Sequence, residues 1–164
     1  MIDHIPADFG HWFAGLVDGE GSFGITMGHR SHRKNMPGCQ FSLSLRNDDA
    51  EVLEYIQRTL GVGGVHYRER GETNRQGYLS KPRADLWIHK KGELPLLVEL
   101  FRHYPLRSKK RLAFEVWARA VDLWTSGEWR GRWTSEKQVV AEEMQRLREE
   151  IKLARQYEPP DYPE

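Results

Sequence analysis

The chain has 164 residues, a net charge of +1 and 38% hydrophobic residues, the proportions of one soluble domain able to bury a core. No apolar run approaches the ~18 residues of a membrane span, and the first residues lack the basic and apolar regions of a secretory signal. Cys39 is the single cysteine, which excludes an internal disulfide and a cysteine-built zinc cage. The charge is unevenly spread: residues 1–114 carry 17 Lys and Arg against 13 Asp and Glu, and residues 115–164 carry 8 against 11. No acid occurs between Gly21 and Asn47, and five bases fall between Arg102 and Arg111. Basic segments on a nearly neutral protein suit a local anion-binding face; solvated loop charge is the plain alternative.

Residues 8–18 read as a helix, with Asp8 as N-cap and Phe9, Phe13, Leu16 and Val17 at helical spacing. Residues 22–27 and 40–46 alternate apolar and polar positions, which predicts two half-buried strands joined by a polar turn over 29–38. Asp48 or Asp49 is placed to cap a second helix with the stripe Val52, Leu53, Ile56 and Leu60, stopped by the glycines from Gly61. A third strand is expected over 65–70, a turn over 71–77 and a fourth strand over 78–89. Pro82 within the fourth suggests an edge or an irregular start. Helices over 93–103, 106–124 and 135–157 follow.

This order predicts an α+β fold with one antiparallel four-stranded sheet. One sheet face is apolar; the other is polar, basic and uncovered by anything left in the chain. A curved face of that kind fits the major groove of DNA. The whole reads as one domain over 1–157, with a core at about 8–125, a C-terminal helix at about 135–157 and a loose tail over 158–164.

The unusual stretch is Phe13-Ala14-Gly15-Leu16-Val17-Asp18-Gly19-Glu20-Gly21. It puts two carboxylates at the negative end of a helix dipole, so a compensating positive group is expected. A divalent metal is one candidate; two solvated acids before a turn are the other. An EF-hand fails, because Phe23 stands where its glycine must be. Gly15 and Gly19 lie four apart on one helix face, which lets a second helix approach closely.

Taken together, these nine residues resemble the signature of the LAGLIDADG homing endonucleases, with Glu20 at the signature's last acid. The predicted element order resembles the family too. So do Leu45-Arg46-Asn47-Asp48-Asp49 and Leu106-Arg107-Ser108-Lys109-Lys110-Arg111. The resemblance implies an αββαββα core with added C-terminal helices. It implies site-specific hydrolysis of both strands of a long, partly palindromic DNA duplex, with Mg²⁺ as cofactor; Mn²⁺ or Ca²⁺ can occupy the same sites. The motif occurs once, which in this family implies a homodimer whose interface uses Phe13, Gly15, Leu16 and Gly19. Glu20 is implied as metal ligand, helped by the Gly19 carbonyl. Lys109 is implied as the basic residue of the active site, and Asn47 as a water-holding group. Asp18 more naturally caps or braces the helix end.

The outward strand positions and turns supply the expected DNA contacts: Thr26, Arg30, Arg33, Lys34, Gln40, Ser42, Ser44, Arg46, His66, Arg68, Arg70, Arg75 and Gln76, with Lys110 and Arg111. No membrane and no small-molecule cofactor is expected. A cleavage-inactive relative, such as an RNA maturase that aids splicing, stays open. The excess of Arg over Lys, 17 to 8, with three Asn, suggests a GC-rich bacterial or archaeal host, an organelle being left open, and the want of a recognisable targeting signal suggests an intracellular setting.

Overall fold

The structure, a computed structural model, describes residues 2–30, 33–69, 77 and 81–156, the side chains of 29–30 and 33–35 excepted. In chain order the elements are α1 (Ala7–Glu20), β1 (Gly21–Arg30), β2 (Arg33–Arg46), a short 3-10 turn (Asn47–Asp49), α2 (Ala50–Leu60), β3 (Gly64–Arg68), β4 (Arg83–Ile88), α3 (Leu94–His103), α4 (Lys110–Ser126) and α5 (Ser135–Leu153). The strands form one antiparallel sheet in the order β1-β2-β4-β3. The α+β class and the four-stranded sheet are as expected.

Period two decides which side chains are buried. Phe23, Ile25, Cys39, Phe41, Leu43, Ala84, Leu86 and Ile88 point to one face and are buried there. The helices pack on that face. Phe13 of α1, Phe101 of α3, and Phe114 and Trp117 of α4 meet Phe23 and Phe41 in one aromatic cluster, with ring centroids 5.0–6.4 Å apart. Each fully buried large side chain of this kind contributes roughly 1.5–3 kcal/mol relative to exposure. Burial pushes the Cys39 thiol up to about 12, so native protein should not react with a thiol-directed dye at pH 8, and unfolded protein should. A fast native reaction would contradict this packing.

Several boundaries differ from expectation. β1 and β2 run through the expected turn to Arg30 and Arg33. Pro37 sits inside β2 because β4 pairs only with Phe41–Arg46. At Pro37 the strand has a neighbour on one side only, the edge setting in which a sheet tolerates proline. β4 begins after Pro82 and is interior; β3 is the edge. Asp8 is not the N-cap of α1; Pro6 is. Asp49 occupies the cap position of α2 without a side-chain bond, and Asp48 turns to Arg46 instead. α4 starts at Lys110, not at 106, and α5 ends at Leu153. Gly61 does end α2, in the left-handed region at φ 69°. The expected turn over 71–76 and the expected tail over 158–164 lie outside the described residues.

Candidate active site and nucleic-acid interface

α1 buries Phe9, Gly10, Phe13, Ala14 and Val17 and turns Trp12, Gly15 and Gly19 to solvent, with Leu16 half-buried. A methyl group added at Gly15 or Gly19 would meet nothing within 4 Å. The outward stripe is therefore flat and open. Phe13 does not belong to it. It is 0% exposed, stacks on Phe9 and packs against Phe101 within the chain, so it has no surface left for a partner. Trp12, 42% exposed, takes the place expected of Phe13 on the outward stripe and leans on Tyr55 of α2. Its spacing of three to Gly15 and four to Leu16 was the available signal.

Glu20 is the last residue of α1 and is exposed. The chain turns directly from helix into strand at Gly21. A Cβ there would lie 2.6 Å from a Val17 methyl carbon and 2.9 Å from the Val17 carbonyl oxygen, so only glycine allows this junction. Asp18, two residues before it, is engaged by the segment that enters α4. It accepts hydrogen bonds from the N–H of Arg107 at 2.8 Å, the N–H of Ser108 at 3.1 Å and the Ser108 hydroxyl at 2.7 Å. Desolvation pushes the Asp18 carboxyl up. The bonds from Arg107 and Ser108, with Lys110 nearby, outweigh it and hold the group below its ordinary value. The compensation that two acids at a helix C-terminus require thus comes from the segment entering α4.

Lys110 completes it. Its Nζ donates to the Gly19 carbonyl at 2.9 Å. Desolvation lowers the Lys110 pKa; Glu20 and Asp18 pull it back up, Arg155 pushes it down, and the net shift is downward. Gly21, Ser22, Ser108, Lys109, Lys110 and Arg155 line one cleft of about 580 Å³ beside the helix end. Lys109 is at this cleft as expected. Lys110, expected among DNA contacts, is the lysine bonded to the motif helix. Arg155 was not foreseen, since nothing in the charged pattern of α5 singles out its C-terminal end. Asn47 lies at the end of β2 that pairs with the start of β1. Its N–H donates to the Pro82 carbonyl, and its Oδ1 is buried with no partner among the described residues.

Among the described residues no three His, Cys, Asp or Glu side chains converge on a metal site. The donor set at the helix end still suits a hard divalent cation. It offers the exposed Glu20 carboxylate and backbone carbonyls at the Gly19–Gly21 junction, all oxygen ligands. In this structure the Gly19 carbonyl is taken by Lys110, so Glu20 is the better-placed ligand of the two.

The second sheet face carries Ser22, Thr26, Gln40, Ser42, Ser44, Arg46, His66, Arg68 and Arg83, all exposed or half-buried. Between them lies Asp85, 1% exposed. It accepts from the Ser44 hydroxyl at 2.6 Å and from Arg68 at 2.7 Å, and lies 3.3 Å from Arg83 Nε. Desolvation raises the Asp85 pKa, but Ser44, Arg68 and Arg83 together hold it below its ordinary value. Asp85 and Arg83 were missed, because a fourth strand drawn from 78 gave no reliable inside and outside. Arg111 is exposed on the first turn of α4. The side chains of Arg30, Arg33 and Lys34, and all of Arg70, Arg75 and Gln76, lie outside the described residues.

A profile of the LAGLIDADG endonuclease family matches residues 13–121. The chain is 32% identical over 115 residues to a probable intron-encoded endonuclease 3 of Neurospora crassa, and 27% identical over 112 residues to the probable intron-encoded endonuclease Cox1-I1b of Schizosaccharomyces pombe. Each match covers 68% of this chain but only 20% and 27% of those longer proteins. Among solved structures it resembles an archaeal intron-encoded homing endonuclease, I-Vdi141I, complexed with DNA. That match has a TM-score of 0.70 at 18% identity, over 96% of this chain and 91% of that one. The homing endonuclease I-TnaI matches with a TM-score of 0.62 at 25% identity, over 89% and 97%. The meganuclease I-AabMI bound to uncleaved DNA matches at 30% identity with a TM-score of 0.56, over 70% of this chain and 36% of that one. The motif helix, its junction with β1 and the sheet beyond it are those of a family, and this chain is a member of the LAGLIDADG homing endonucleases.

Proposed function

We propose that the chain is a site-specific, divalent-metal-dependent DNA endonuclease, encoded in an intron or similar mobile element, that cuts both strands as a homodimer. The observation that carries this reading is the end of α1. An exposed Glu20 stands there beside a cleft lined by Lys109, Lys110 and Arg155, on a helix whose outward stripe carries the open glycines Gly15 and Gly19. Two copies packed through Gly15 and Gly19 bring their Glu20 carboxylates together. Such a pair repels itself unless a cation lies between its members. Glu20 of each copy holds the cation, which when bound supplies polarisation of the scissile phosphate and neutralises the paired acids. Lys109 and Arg155 hold the backbone oxygens that gather charge as the phosphodiester opens. Lys110, bound to the Gly19 carbonyl, keeps Glu20 aimed. Asn47 orders water at the same end of the sheet.

The Neurospora and Schizosaccharomyces relatives are named as probable intron-encoded endonucleases, and the I-Vdi141I and I-AabMI structures contain DNA; these support the assignment. The deciding experiment is cleavage of a plasmid that carries the joined sequences flanking this gene's insertion point, with and without Mg²⁺. Cutting of both strands only with metal supports the proposal. Tight binding without cutting would turn it into a binding protein of the same fold, such as a maturase.

The dimer has its own test. Gly15→Leu fits the open space outside α1 and should leave the melting temperature within a few degrees. Glycine in a helix interior is about 1 kcal/mol worse than alanine, and leucine ranks close to alanine, so the variant should be no less stable. It should shift the protein to monomer in light scattering and cut cleavage at least tenfold. A dimer of unchanged affinity would place the interface elsewhere.

A further inference from the structure

α4 and α5 are joined by Gly127-Glu128-Trp129-Arg130-Gly131-Arg132-Trp133-Thr134. The family profile stops at residue 121, so this segment is an addition to the matched core. A connection between two helices needs only polar, flexible residues. This one sets two tryptophans and two arginines about a glycine, and its backbone is tied down. Trp129 is buried, and its Nε1 donates to the Trp124 carbonyl at 2.9 Å. The Trp133 ring lies 6.2 Å from it, and its Nε1 donates to Gln138 Oε1 at 3.0 Å. Lys137 Nζ donates to the carbonyls of Arg130, at 2.6 Å, and Arg132, at 2.9 Å. Gly131 between them takes the left-handed conformation, φ 76°, which glycine adopts without strain. One ammonium thus gathers two carbonyls and bends the backbone into an arch.

Arg130 and Arg132 stand exposed on either side of its tip. Neither guanidinium has a hydrogen bond or ion pair among the described residues. The acids of the segment do not take them: Glu128 Oε1 accepts from the Arg130 N–H at 3.0 Å, and Glu136 lies in the first turn of α5. The place of the arch follows from its ties. Lys91, three residues after β4, donates from Nζ to the Gly127 carbonyl. Met27 of β1 shares a small cleft with Gln138, Ala141, Glu142 and Gln145 of α5, whereas Ala154 and Arg155 reach the cleft beside Gly21. α5 therefore runs back along β1, and the arch lies at the rim of the sheet remote from the end of α1. The 19 residues of α5 span about 28 Å, the length of about eight base pairs of duplex.

Resting on the proposed function, we propose that Arg130 and Arg132 form a phosphate clamp that grips the DNA backbone at the outer rim of each copy, about eight base pairs from the cutting centre. A guanidinium presents a planar fork that matches two phosphate oxygens. The arch holds its two forks in place before the duplex arrives, which lowers the ordering cost of binding. Such contacts fix the position of a duplex and carry no base information. The clamp lengthens the footprint and adds affinity, with the sequence left to other residues.

The test is duplex binding by the full chain in Ca²⁺ over a range of salt, with hydroxyl-radical footprints of the bound duplex and a melting curve for each variant. Arg130→Gln combined with Arg132→Gln should flatten the plot of log affinity against log salt by about 3–4 units, roughly 0.9 for each of four contacts in a dimer. Backbone protection should vanish about eight base pairs from the centre and persist inside that point. The bases selected from a randomised pool should not change. Both side chains are exposed, so the melting temperature should stay within a few degrees. Arg119→Gln combined with Arg146→Gln removes the same charge from α4 and α5 and should leave slope and footprint as in wild type. An unchanged slope and outer footprint in the first variant would overturn the clamp, and so would an equal loss in both. A loss of affinity for single-stranded RNA, with duplex binding intact, would overturn it in favour of a separate RNA surface. A wild-type chain that protects no defined stretch of duplex would instead overturn the proposed function itself.

Discussion

Glu20→Gln should abolish cleavage while duplex binding in Ca²⁺ stays within a few-fold of wild type. The substitution keeps the size of the side chain and removes its charge. Glu20 is exposed at the end of α1, and no hydrogen bond to it is present among the described residues, so folding does not depend on it. In the proposed homodimer the loss falls on both active centres, because each copy would contribute one carboxylate. Electrostatic groups at a reacting centre are each worth on the order of 10²–10³ in rate, so a combined loss of roughly 10³-fold or more is expected. Plasmid nicking and a gel-shift titration on the same duplex measure the two quantities. If binding fell together with cleavage, Glu20 would be holding the interface and not the chemistry.

Asp18→Ala should be the most damaging polar substitution for the site's architecture. It removes the single acceptor that ties α1 to the entry of α4 through Arg107 and Ser108. Hydrogen bonds to a charged group are worth about 1.5–3 kcal/mol each when buried; this group is partly exposed, so about 2 kcal/mol in total is expected. The melting temperature should fall by several degrees, and cleavage should fall further than stability, because the freed segment carries Lys109 and Lys110.

The pH dependence has a definite sign. The folded pKa of Asp18 lies below the unfolded one, so its contribution is complete above the unfolded value of about 3.9 and fades as pH falls through the folded value. Wild type should therefore lose more stability than Asp18→Ala on acidification below about pH 4. Asp85 shifts in the same direction and leaves the variant a residual acid limb. Parallel acid limbs in the two proteins would count against the brace.

Most of this was legible because two periods carry it. Alternation in 22–27 and 40–46 marks inside and outside without ambiguity, and the glycine-rich motif marks its own helix end. What escaped has physical reasons. The reach of β1 and β2 was hidden because Pro37 and Gly38 read as turn residues, and only the absence of a second neighbour beside Pro37 permits them in a strand. Phe13 was assigned to the partner because the motif places an apolar residue there, but spacing alone does not say which side of a helix its own core claims. Lys109 and Lys110 are adjacent and chemically alike, and their division of labour depends on where α4 begins. Asp85 was invisible because a buried carboxylate between two arginines has no local pattern; it exists only through cross-strand register.

The two sheet faces have separate fates under mutation. Phe23, Ile25, Phe41 and Leu43 answer to the core, whereas Ser22, Thr26, Gln40 and Ser42, interleaved with them along the same strands, lie exposed or half-buried on the other face. Under the proposed function, a gene that follows its insertion site as a host genome drifts can rewrite the second set codon by codon at almost no cost to folding. Arg68, Arg83 and Ser44 are the exception, since their shared tie to Asp85 makes them change together or stay. Among descendants of this chain, the other outward positions should therefore vary one at a time, and Ser44, Arg68 and Arg83 only together.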